Sequence, residues 1–302
     1  MEKKKKMLLP MLLILLLLVL VLALLQRHNQ QQEEEQEAEK EASTIYITDI
    51  AEIDSISYRT GDNEFTFEKE GDSWIYKQDP DFPLAQSYPE QIASTYGKLT
   101  AQRELEDGDE LEDYGLTEPA YTIRLTDPDG NETGLKIGNA VDDAYYLLNE
   151  STEKIYTVSS AAATVLQHTL EEMAQLDTYP NIGSGNLKKE VITRGGETTT
   201  YDSENEDDAK NIAAVAGGLG AVTLSSAADY SVEDKDLAGF GLDEKSRTTV
   251  EATYITDEEE QVLKLYIGGE DGNGNRYVMM NDSRIVYLIS AEVCKNILNI
   301  EE

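Results

Sequence analysis

Two acidic loops hold the residues of this chain that are best suited to bind a metal ion. Asp271–Asn275 offers oxygen atoms at alternate positions, and Asp282 lies at the twelfth position counted from Asp271. Such oxygens are the usual ligands of Ca²⁺, but an EF-hand needs glycine at the sixth position, where Arg276 stands, and helices on both flanks. Asp127–Asn131 is the second such loop, and its Pro-Asp-Gly sequence is typical of a turn. The sequence favours plain turns at both loops, with weak extracellular calcium binding as the alternative.

The two histidines and the single cysteine of the chain are too isolated to predict catalysis. His28 lies in a polar stretch and His168 in a predicted helix, and neither has a second histidine or a cysteine at metal-ligand spacing. No Gly-x-Ser-x-Gly elbow presents a serine to His168. Cys294 cannot form an intramolecular disulfide, and we expect it to be buried as a small apolar residue. We therefore predict no catalytic, cofactor-binding or metal-binding residue, and a protein that is not an enzyme.

Acidic side chains are so abundant that their pairing carries no information. The chain has 60 Asp and Glu residues against 25 Lys and Arg residues, a formal net charge of −35. Two neighbouring carboxylates, which a glycoside hydrolase requires, therefore arise by chance, and a hydrolase is the weakest of three functional hypotheses. The same charge repels the phosphates of nucleic acids, so the sequence excludes nucleic acid as a partner.

Three glycine-containing segments require an explanation other than ligand binding. Gly217–Gly220 follows a predicted helix instead of opening one and lacks a following Lys-Ser or Lys-Thr pair, so we expect it to end that helix. Gly115-Leu116 and Gly241-Leu242 are expected to be helix-ending turns in which the leucine is buried.

The N-terminus predicts where the protein resides. Residues 1–6 contain four lysines, and residues 7–25 form an apolar run interrupted only by Pro10. A helix of that length spans roughly 27–30 Å, about the thickness of the hydrocarbon core of a bilayer. Because lysines favour the cytoplasmic side, we predict a cytoplasmic tail (1–6), an uncleaved single-pass signal anchor (7–25) and an extracytoplasmic remainder at the cell membrane. A cleaved signal peptide is the alternative, since Ala23 ends a short segment of cleavage-site character.

Strand and helix patterns begin beyond an acidic spacer at residues 26–44. Strands are predicted at 53–58, 65–68, 74–76, 121–126, 132–137, 144–149 and 154–158, with helices at 89–99 and from Ser159 to about 176. A second series predicts strands at 190–194, 198–201, 248–256, 261–267, 276–280 and 285–288, with helices at 207–219 and 290–300. The order of elements is therefore repeated.

The repeat is also visible in the residue letters. Residues 114–119 read Tyr-Gly-Leu-Thr-Glu-Pro, and residues 240–245 read Phe-Gly-Leu-Asp-Glu-Lys. Tyr145–Asn149 matches Tyr277–Asn281 by its letters. The offset between copies is 126 residues at the Gly-Leu element, 130 at the Ile-Gly element and 131 at the serine that ends the block, as loop insertions in a duplicated unit would produce. The predicted fold class is α+β, with two tandem repeats at 45–180 and 181–302. Each is a mostly antiparallel sheet with packed helices, behind one N-terminal transmembrane helix.

The motifs of the first copy and their second-copy partners resemble the domain-of-unknown-function 4340 family over about residues 45–300. The matching stretches of the first copy are Trp74–Tyr76, Tyr114–Pro119, Leu135–Gly138 and Tyr145–Val158. The resemblance implies an envelope protein attached to an ABC-type transport system of the kind associated with gliding motility, and it supplies no catalytic residues. The second copy departs from the pattern, because it has no counterpart of Trp74 and has Lys245 in place of Pro119.

The anchor, the spacer and the duplicated sheets together predict a structural or accessory protein of a cell-envelope complex, and the family resemblance implies that this complex is an ABC transporter assembly. We expect its protein partners to bind at sheet edges or in the groove between the copies. The alternative is an extracellular domain that binds a small molecule or glycan in the cleft between the repeats.

Overall fold

The computed structural model describes residues 26–28, 41, 43–106, 110–225 and 227–300. The predicted cytoplasmic tail (1–6) and signal anchor (7–25) lie outside these residues, as does most of the predicted spacer (26–44). Within the described part of the chain, no helix is both long enough and apolar enough to cross a membrane.

Antiparallel strands form the framework of the described chain. In chain order they are β1 Ile45–Tyr46, β2 Ser55–Thr60, β3 Asn63–Glu70, β4 Ser73–Tyr76, β5 Thr100–Ala101, β6 Arg103–Leu105, β7 Tyr121–Thr126, β8 Glu132–Val141, β9 Ala144–Asn149, β10 Lys154–Ser159, β11 Leu187–Arg194, β12 Glu197–Asp202, β13 Ala227–Asp229, β14 Thr248–Thr256, β15 Glu259–Glu270, β16 Asn275–Met280 and β17 Val286–Ser290. The α-helices are α1 Ser87–Gly97, α2 Ala161–Thr164, α3 Ala209–Gly220 and α4 Ala291–Ile297, and 3-10 helices span Glu206–Asp208 and Leu237–Phe240.

Apart from the additional edge strand β4, the two large sheets have the same strand order. One sheet has eight strands in the order β4-β3-β2-β7-β8-β9-β10-β6, and the other has seven in the order β12-β11-β14-β15-β16-β17-β13. A two-stranded sheet pairs β1 with β5. Two mostly antiparallel sheets with few helices and a repeated order confirm the predicted α+β class.

Strand register corrects the alignment of the two copies by one residue. The letters alone pair Tyr145 with Tyr277, but the strand partners show that Tyr146 is the residue equivalent to Tyr277. Tyr146 lies opposite Thr157 in β10, and Tyr277 lies opposite Leu288 in β17, so both members of the pair are offset by 131 residues. The repeated tyrosine in this strand therefore keeps its face of the sheet, as the two-residue periodicity of a strand requires.

The described chain divides into two compact units. The first contains the described residues up to Glu64 together with Ile92–Leu166, and its buried side chains come mainly from β2 and from β7 to β10. The second contains Phe65–Gln91 and the described residues from Gln167 onward, and one of its apolar clusters joins α3 and α4 to β11, β14, β15 and β16. The segment Phe65–Gln91, which chain order alone assigns to the first repeat, thus belongs to the second unit.

The helix predicted over residues 159–176 is wrong, because α2 ends at Thr164. Backbone groups of the following segment pair elsewhere in the second unit. The Ala85 N–H donates to the Met173 carbonyl at 2.8 Å, and the Gln175 N–H donates to the Pro83 carbonyl at 2.6 Å. Because each backbone group has few bonding partners, pairing with another segment replaces the helical hydrogen bonds.

The helix end predicted at Gly217–Gly220 is confirmed, because α3 ends at Gly220. A Cβ atom on Gly218 would lie 2.5 Å from the backbone nitrogen of Ile297 in α4, and one on Gly220 would lie 2.7 Å from the carbonyl oxygen of Ile182. These two glycines therefore permit close packing of α3.

The turns at Gly115-Leu116 and Gly241-Leu242 are confirmed as the ends of helical turns. Gly115 and Gly241 have φ values of 68° and 67°, which is the left-handed conformation that glycine adopts most easily. In the second copy the Leu242 N–H donates to the Leu237 carbonyl at 2.9 Å, closing a 3-10 helix as a C-terminal cap does. Both following leucines are buried.

Candidate functional site

The two loops that resemble calcium sites are hydrogen-bonded turns. In the second copy, Oδ1 of Asp271 accepts hydrogen bonds from the backbone N–H groups of Asn273 at 2.7 Å and Asn275 at 2.9 Å, and Oδ2 accepts from Nδ2 of Asn275 at 2.9 Å. In the first copy, Asp127 accepts from the backbone and the side chain of Asn131 at 2.8 and 2.7 Å. Hydrogen bonds from the asparagine lower the pKa of both aspartates.

These loops therefore do not present free carboxylates to a cation. Within the described residues, moreover, no three histidine, cysteine, aspartate or glutamate side chains converge as metal ligands would. The turn is the better interpretation at both loops.

The histidines and the cysteine occupy separate structural positions. The ring of His168 packs edge-on against Tyr88 at 4.8 Å between centroids, and Nδ1 of His168 lies 3.7 Å from a carboxylate oxygen of Glu172. His28 is exposed. Cys294 is fully buried in the apolar cluster of the second unit, and burial raises the pKa of its thiol to about 11. The thiol is therefore protonated and packed, as expected of a small apolar residue.

A polar network in the second unit ties the chain before β11 to β17. Oδ2 of Asp177 accepts hydrogen bonds from the hydroxyls of Ser283 at 2.5 Å and Tyr287 at 2.8 Å, and the Asp177 N–H donates to the Tyr287 oxygen at 2.8 Å. Burial raises the pKa of Tyr287. The serine hydroxyl donates to a carboxylate and has no imidazole partner in the described chain, so the arrangement fixes a loop and does not activate a nucleophile.

A cleft of about 600 Å³ lies next to this network. It is lined by Asp234, Leu237, Asp243, Glu244, Lys245, Arg247, Tyr266, Met279, Asn281, Asp282, Ser283 and Arg284. The Arg247 guanidinium lies 4.1 Å from the centroid of the Tyr266 ring, within cation–π distance. Arg284 forms an exposed ion pair with Asp234 at 2.7 Å. The cleft thus has three cationic side chains (Lys245, Arg247, Arg284) and four acidic ones (Asp234, Asp243, Glu244, Asp282) around an aromatic ring.

The outer edge of β12 is the second candidate site. This strand ends its sheet and pairs only with β11 within the described chain, and its first four residues are exposed. The hairpin between the two strands turns through Gly195-Gly196, so Arg194 and Glu197 form the hydrogen-bonded pair that closes it. Since bonded and unbonded positions alternate along a strand, Thr198 and Thr200 direct their backbone groups to the open edge.

Two further hydrogen bonds fix this alternation. The Ser203 N–H donates inward to the Lys188 carbonyl at 2.8 Å, and the Asp202 N–H donates to Oδ2 of Asp208 at 3.2 Å. Position 202 therefore faces outward and is covered by a side chain. Within the described residues, no hydrogen bond covers the outward backbone groups at positions 198 and 200, so they are available to a partner.

A cavity of about 210 Å³ lies beside this edge on the helix-covered face of the sheet. It is lined by Ile192, Arg194, Glu197, Thr199, Tyr201, Thr248, Leu298 and Ile300. Its floor combines apolar side chains with the small Thr199, and Ile300 at its rim is 45% exposed. An open strand edge next to a pocket for alternate side chains is the geometry that binds extended peptides by strand addition.

Sequence analysis missed the most unusual residue near this edge. Glu190 in β11 is fully buried, and neither carboxylate oxygen has a hydrogen-bond partner in the described chain. Burial raises the pKa of Glu190 to about 8. The hydroxyl of Tyr179 is also buried without a partner, and its pKa is raised by burial and then by Glu190. The sequence did contain a signal for the burial of Glu190. Residues two apart in a strand lie on the same face, and Ile192 is an apolar residue two positions after Glu190.

Comparison with known proteins identifies one family. The family model described as "Domain of unknown function (DUF4340)" matches residues 74–212 and, a second time, residues 197–299. The two matches together cover most of the chain, and each covers much of one copy of the repeat. No curated protein and no solved structure gives a significant match.

Proposed function

Because the chain belongs to the DUF4340 family, we propose that it is a membrane-anchored, extracytoplasmic structural or accessory protein of a cell-envelope complex, and that this complex is an ABC transporter assembly. The open edge of β12 is the observation that supports this proposal best. Exposed strand edges attract other strands, and proteins usually blunt them with charge, proline or a covering segment. Here the edge is a run of exposed threonines with a pocket beside it.

The character of the edge favours a protein partner. Main-chain hydrogen bonds to a strand edge supply affinity for any extended polypeptide, and neighbouring pockets select its side chains. Threonine is also a residue that favours β-structure, and residues 198–200 lie within the strand β12, already extended for pairing with another strand.

The predicted topology supports the same function. A basic tail at 1–6, an apolar run at 7–25 and a polar spacer at 26–44 would hold the two sheets outside the membrane at a limited distance from it. An anchored protein with an open strand edge would therefore meet the extracytoplasmic parts of its membrane partners at high effective concentration.

A ligand-binding ectodomain is the second candidate, and the cleft beside Tyr266 favours it. Arg247 and Lys245 could bind an anionic group, while the tyrosine ring could contact a sugar or an aromatic ring. The sequence-based alternative placed such a ligand between the repeats, whereas this cleft belongs entirely to the second unit.

Crosslinked affinity purification of the full-length protein from its native membrane, followed by mass spectrometry, tests the proposal. We expect stoichiometric recovery of an ABC permease and its ATPase. The matched control fuses residues 1–44 to an unrelated folded domain, so that recovery by anchor and spacer alone is subtracted. If the full chain recovers no more protein than this control, under crosslinking that captures a known complex, the accessory role is wrong.

A further inference from the structure

The first hairpins of the two sheets give a residue-by-residue alignment of the edge strands. β2 and β3 are joined by the two residues Gly61-Asp62, and β11 and β12 by the two residues Gly195-Gly196. Counting from these turns places Phe65 at the position of Thr199 and Phe67 at the position of Tyr201. The β3 strand of the first copy is therefore the counterpart of β12.

In the first copy a further strand occupies the outer edge of β3. β4 pairs antiparallel with β3, and Tyr76 lies directly opposite Phe67. The Tyr76 ring lies 6.0 Å from the Phe67 ring and 6.5 Å from the Phe65 ring, and all three side chains are buried. Trp74, two residues earlier, is 4% exposed. The occupant of this edge is thus an extended segment with aromatic side chains at alternate positions.

The new edge created by β4 is itself covered. Oε1 of Gln86 accepts a hydrogen bond from the Trp74 N–H at 2.7 Å, and Nε2 of Gln86 donates to the Trp74 carbonyl at 3.0 Å. The side-chain amide thereby substitutes for a neighbouring strand at this position. The first copy protects its edge in the way expected of a stable sheet.

Within the described residues, no strand follows at the outer edge of β12, and the Asp208 side chain covers this edge at position 202 but not at positions 198 and 200. After β12 the chain turns directly into the 3-10 helix Glu206–Asp208 and then α3. Thr199 stands where the first copy has the Phe65 ring, and the cavity of about 210 Å³ lies at this position. A small side chain, an adjacent cavity and uncovered backbone groups at positions 198 and 200 occur together next to the place of the aromatic strand of the first copy.

We propose that the outer edge of β12 binds an extended segment of a partner protein, antiparallel to β12, with aromatic side chains at alternate positions. The segment lies next to the place that β4 occupies in the first copy and closer to the hairpin turn, because β4 pairs with residues 67–70, the counterparts of residues 201–204, and Asp208 covers position 202 of β12. Its backbone pairs with Thr198 and Thr200, and one aromatic side chain enters the cavity over Thr199. This inference rests on the proposed function, because it names the surface through which an accessory protein would hold its partner.

A labelled peptide with the sequence of residues 71–78, which contains β4, is the probe, and the full-length protein in detergent micelles is the receptor. Fluorescence anisotropy measures binding, and a peptide with alanine at both aromatic positions is the control. We expect saturable binding of the aromatic peptide and at least about tenfold weaker binding of the alanine peptide. Equal binding of both peptides, or no binding of either, would overturn the proposal.

Two variants test the edge and the cavity separately. Thr200→Pro removes an outward N–H at a position where an edge strand tolerates proline, and Thr199→Phe fills the cavity with the ring of the first copy. Each is expected to weaken binding about tenfold or more. Thr256→Phe is the matched control, because it adds the same ring at an exposed strand position away from the β12 edge, and it should bind within about twofold of the unmodified protein. Circular dichroism verifies folding of each variant, and binding unchanged by both Thr199→Phe and Thr200→Pro in folded protein would refute the site.

Two other results distinguish this inference from the proposed function. If light scattering shows a dimer that Thr200→Pro dissociates, the occupant is a second copy of the chain, and the partner-protein proposal is wrong. If peptide binding fails while membrane crosslinking still recovers a transporter, only the edge inference fails. If the peptide binds at the edge but no envelope partner is recovered, the accessory function fails instead.

Discussion

Gly268 and Phe240 are in such close contact that no side chain fits between them. A Cβ atom on Gly268 would lie 2.4 Å from the carbonyl oxygen of Phe240. The first copy repeats this contact, since a Cβ atom on Gly138 would lie 2.2 Å from the carbonyl oxygen of Tyr114. In each copy the backbone of the aromatic-Gly-Leu turn therefore packs directly against the strand glycine. This contact explains why both motifs recur together in the sequence.

Gly268→Ala is expected to lower the free energy of unfolding by about 1–3 kcal/mol or more, because backbone must move to accommodate the methyl group. Chemical denaturation followed by circular dichroism measures the change. Gly239→Ala, at a position in the same turn region where a Cβ atom meets nothing within 4 Å, is the matched control. Equal stability of the two variants would contradict the close contact.

Neighbouring glycines in α3 are expected to respond oppositely to alanine. Gly217→Ala should stabilise the protein by about 0.5–1 kcal/mol, because alanine favours the helix and its Cβ atom meets nothing within 4 Å. Gly218→Ala should destabilise it, because the new methyl group would lie 2.5 Å from the backbone nitrogen of Ile297. Thermal unfolding of the two variants provides the comparison. If both variants shift the melting temperature in the same direction, the packing of α3 on α4 described above is wrong.

The repeated fold could be predicted because its information is local. Alternating apolar residues gave the strand bounds at 121–126, 144–149 and 248–256, which the structure reproduces without change. The turn glycines gave the buried leucines that follow them. Matching residue types aligned the two copies to within one residue. The strand register, in which Tyr146 lies opposite Thr157, was needed to show that Tyr146 is the counterpart of Tyr277.

The candidate sites depend on contacts between distant segments, which the local pattern does not contain. The helix predicted over 159–176 failed because its backbone pairs with Pro83 and Ala85, far away in sequence. The missing counterpart of Trp74 in the sequence is consistent with the open edge of β12. The cavity beside that edge, however, is lined by Leu298 and Ile300 from the other end of the repeat. Spatial proximity of that kind follows from the tertiary fold alone.

Cys294 is expected to react with iodoacetamide only when the second unit unfolds. The side chain is fully buried, and the pKa of its thiol, raised to about 11 by burial, keeps it protonated at neutral pH. Labelling in increasing denaturant, measured by mass spectrometry, should therefore follow the unfolding curve. Ser283→Cys, at a partly exposed position, provides a control that should label in the native protein. Rapid native labelling of Cys294 would contradict its burial.

Calcium is expected to leave the melting temperature unchanged, because both carboxylate oxygens of Asp271 already accept hydrogen bonds from within the loop. The experiment is differential scanning fluorimetry with millimolar CaCl₂, and MgCl₂ at equal ionic strength is the control. Asp271→Ala should lower the melting temperature in both salts through loss of the turn. A stabilisation by Ca²⁺ alone that disappears in this variant would instead establish a calcium site.

Glu190 is expected to make the stability of the second unit depend on pH. Its pKa is about 8 in the folded protein and near 4.5 when the chain is unfolded. The folded state therefore holds a proton that the unfolded state has lost, so stability falls as the pH rises between these two values. Each pKa unit corresponds to about 1.4 kcal/mol, which makes the total change several kcal/mol.

The variant Glu190→Leu tests this effect, and the first repeat supplies the reason for choosing an apolar side chain. Counting from the hairpin turns places the fully buried Ile56 at the position of Glu190, so the fold accepts an aliphatic residue there. Urea denaturation at pH 5 and pH 8.5 should show a steep loss of stability in the unmodified protein and a much smaller loss in the variant. Glu206→Leu, at an exposed position, should retain the full pH dependence. If Glu190→Leu keeps the same pH dependence as the unmodified protein, Glu190 is ionised in the folded state, and the carboxylate must have a partner in solution.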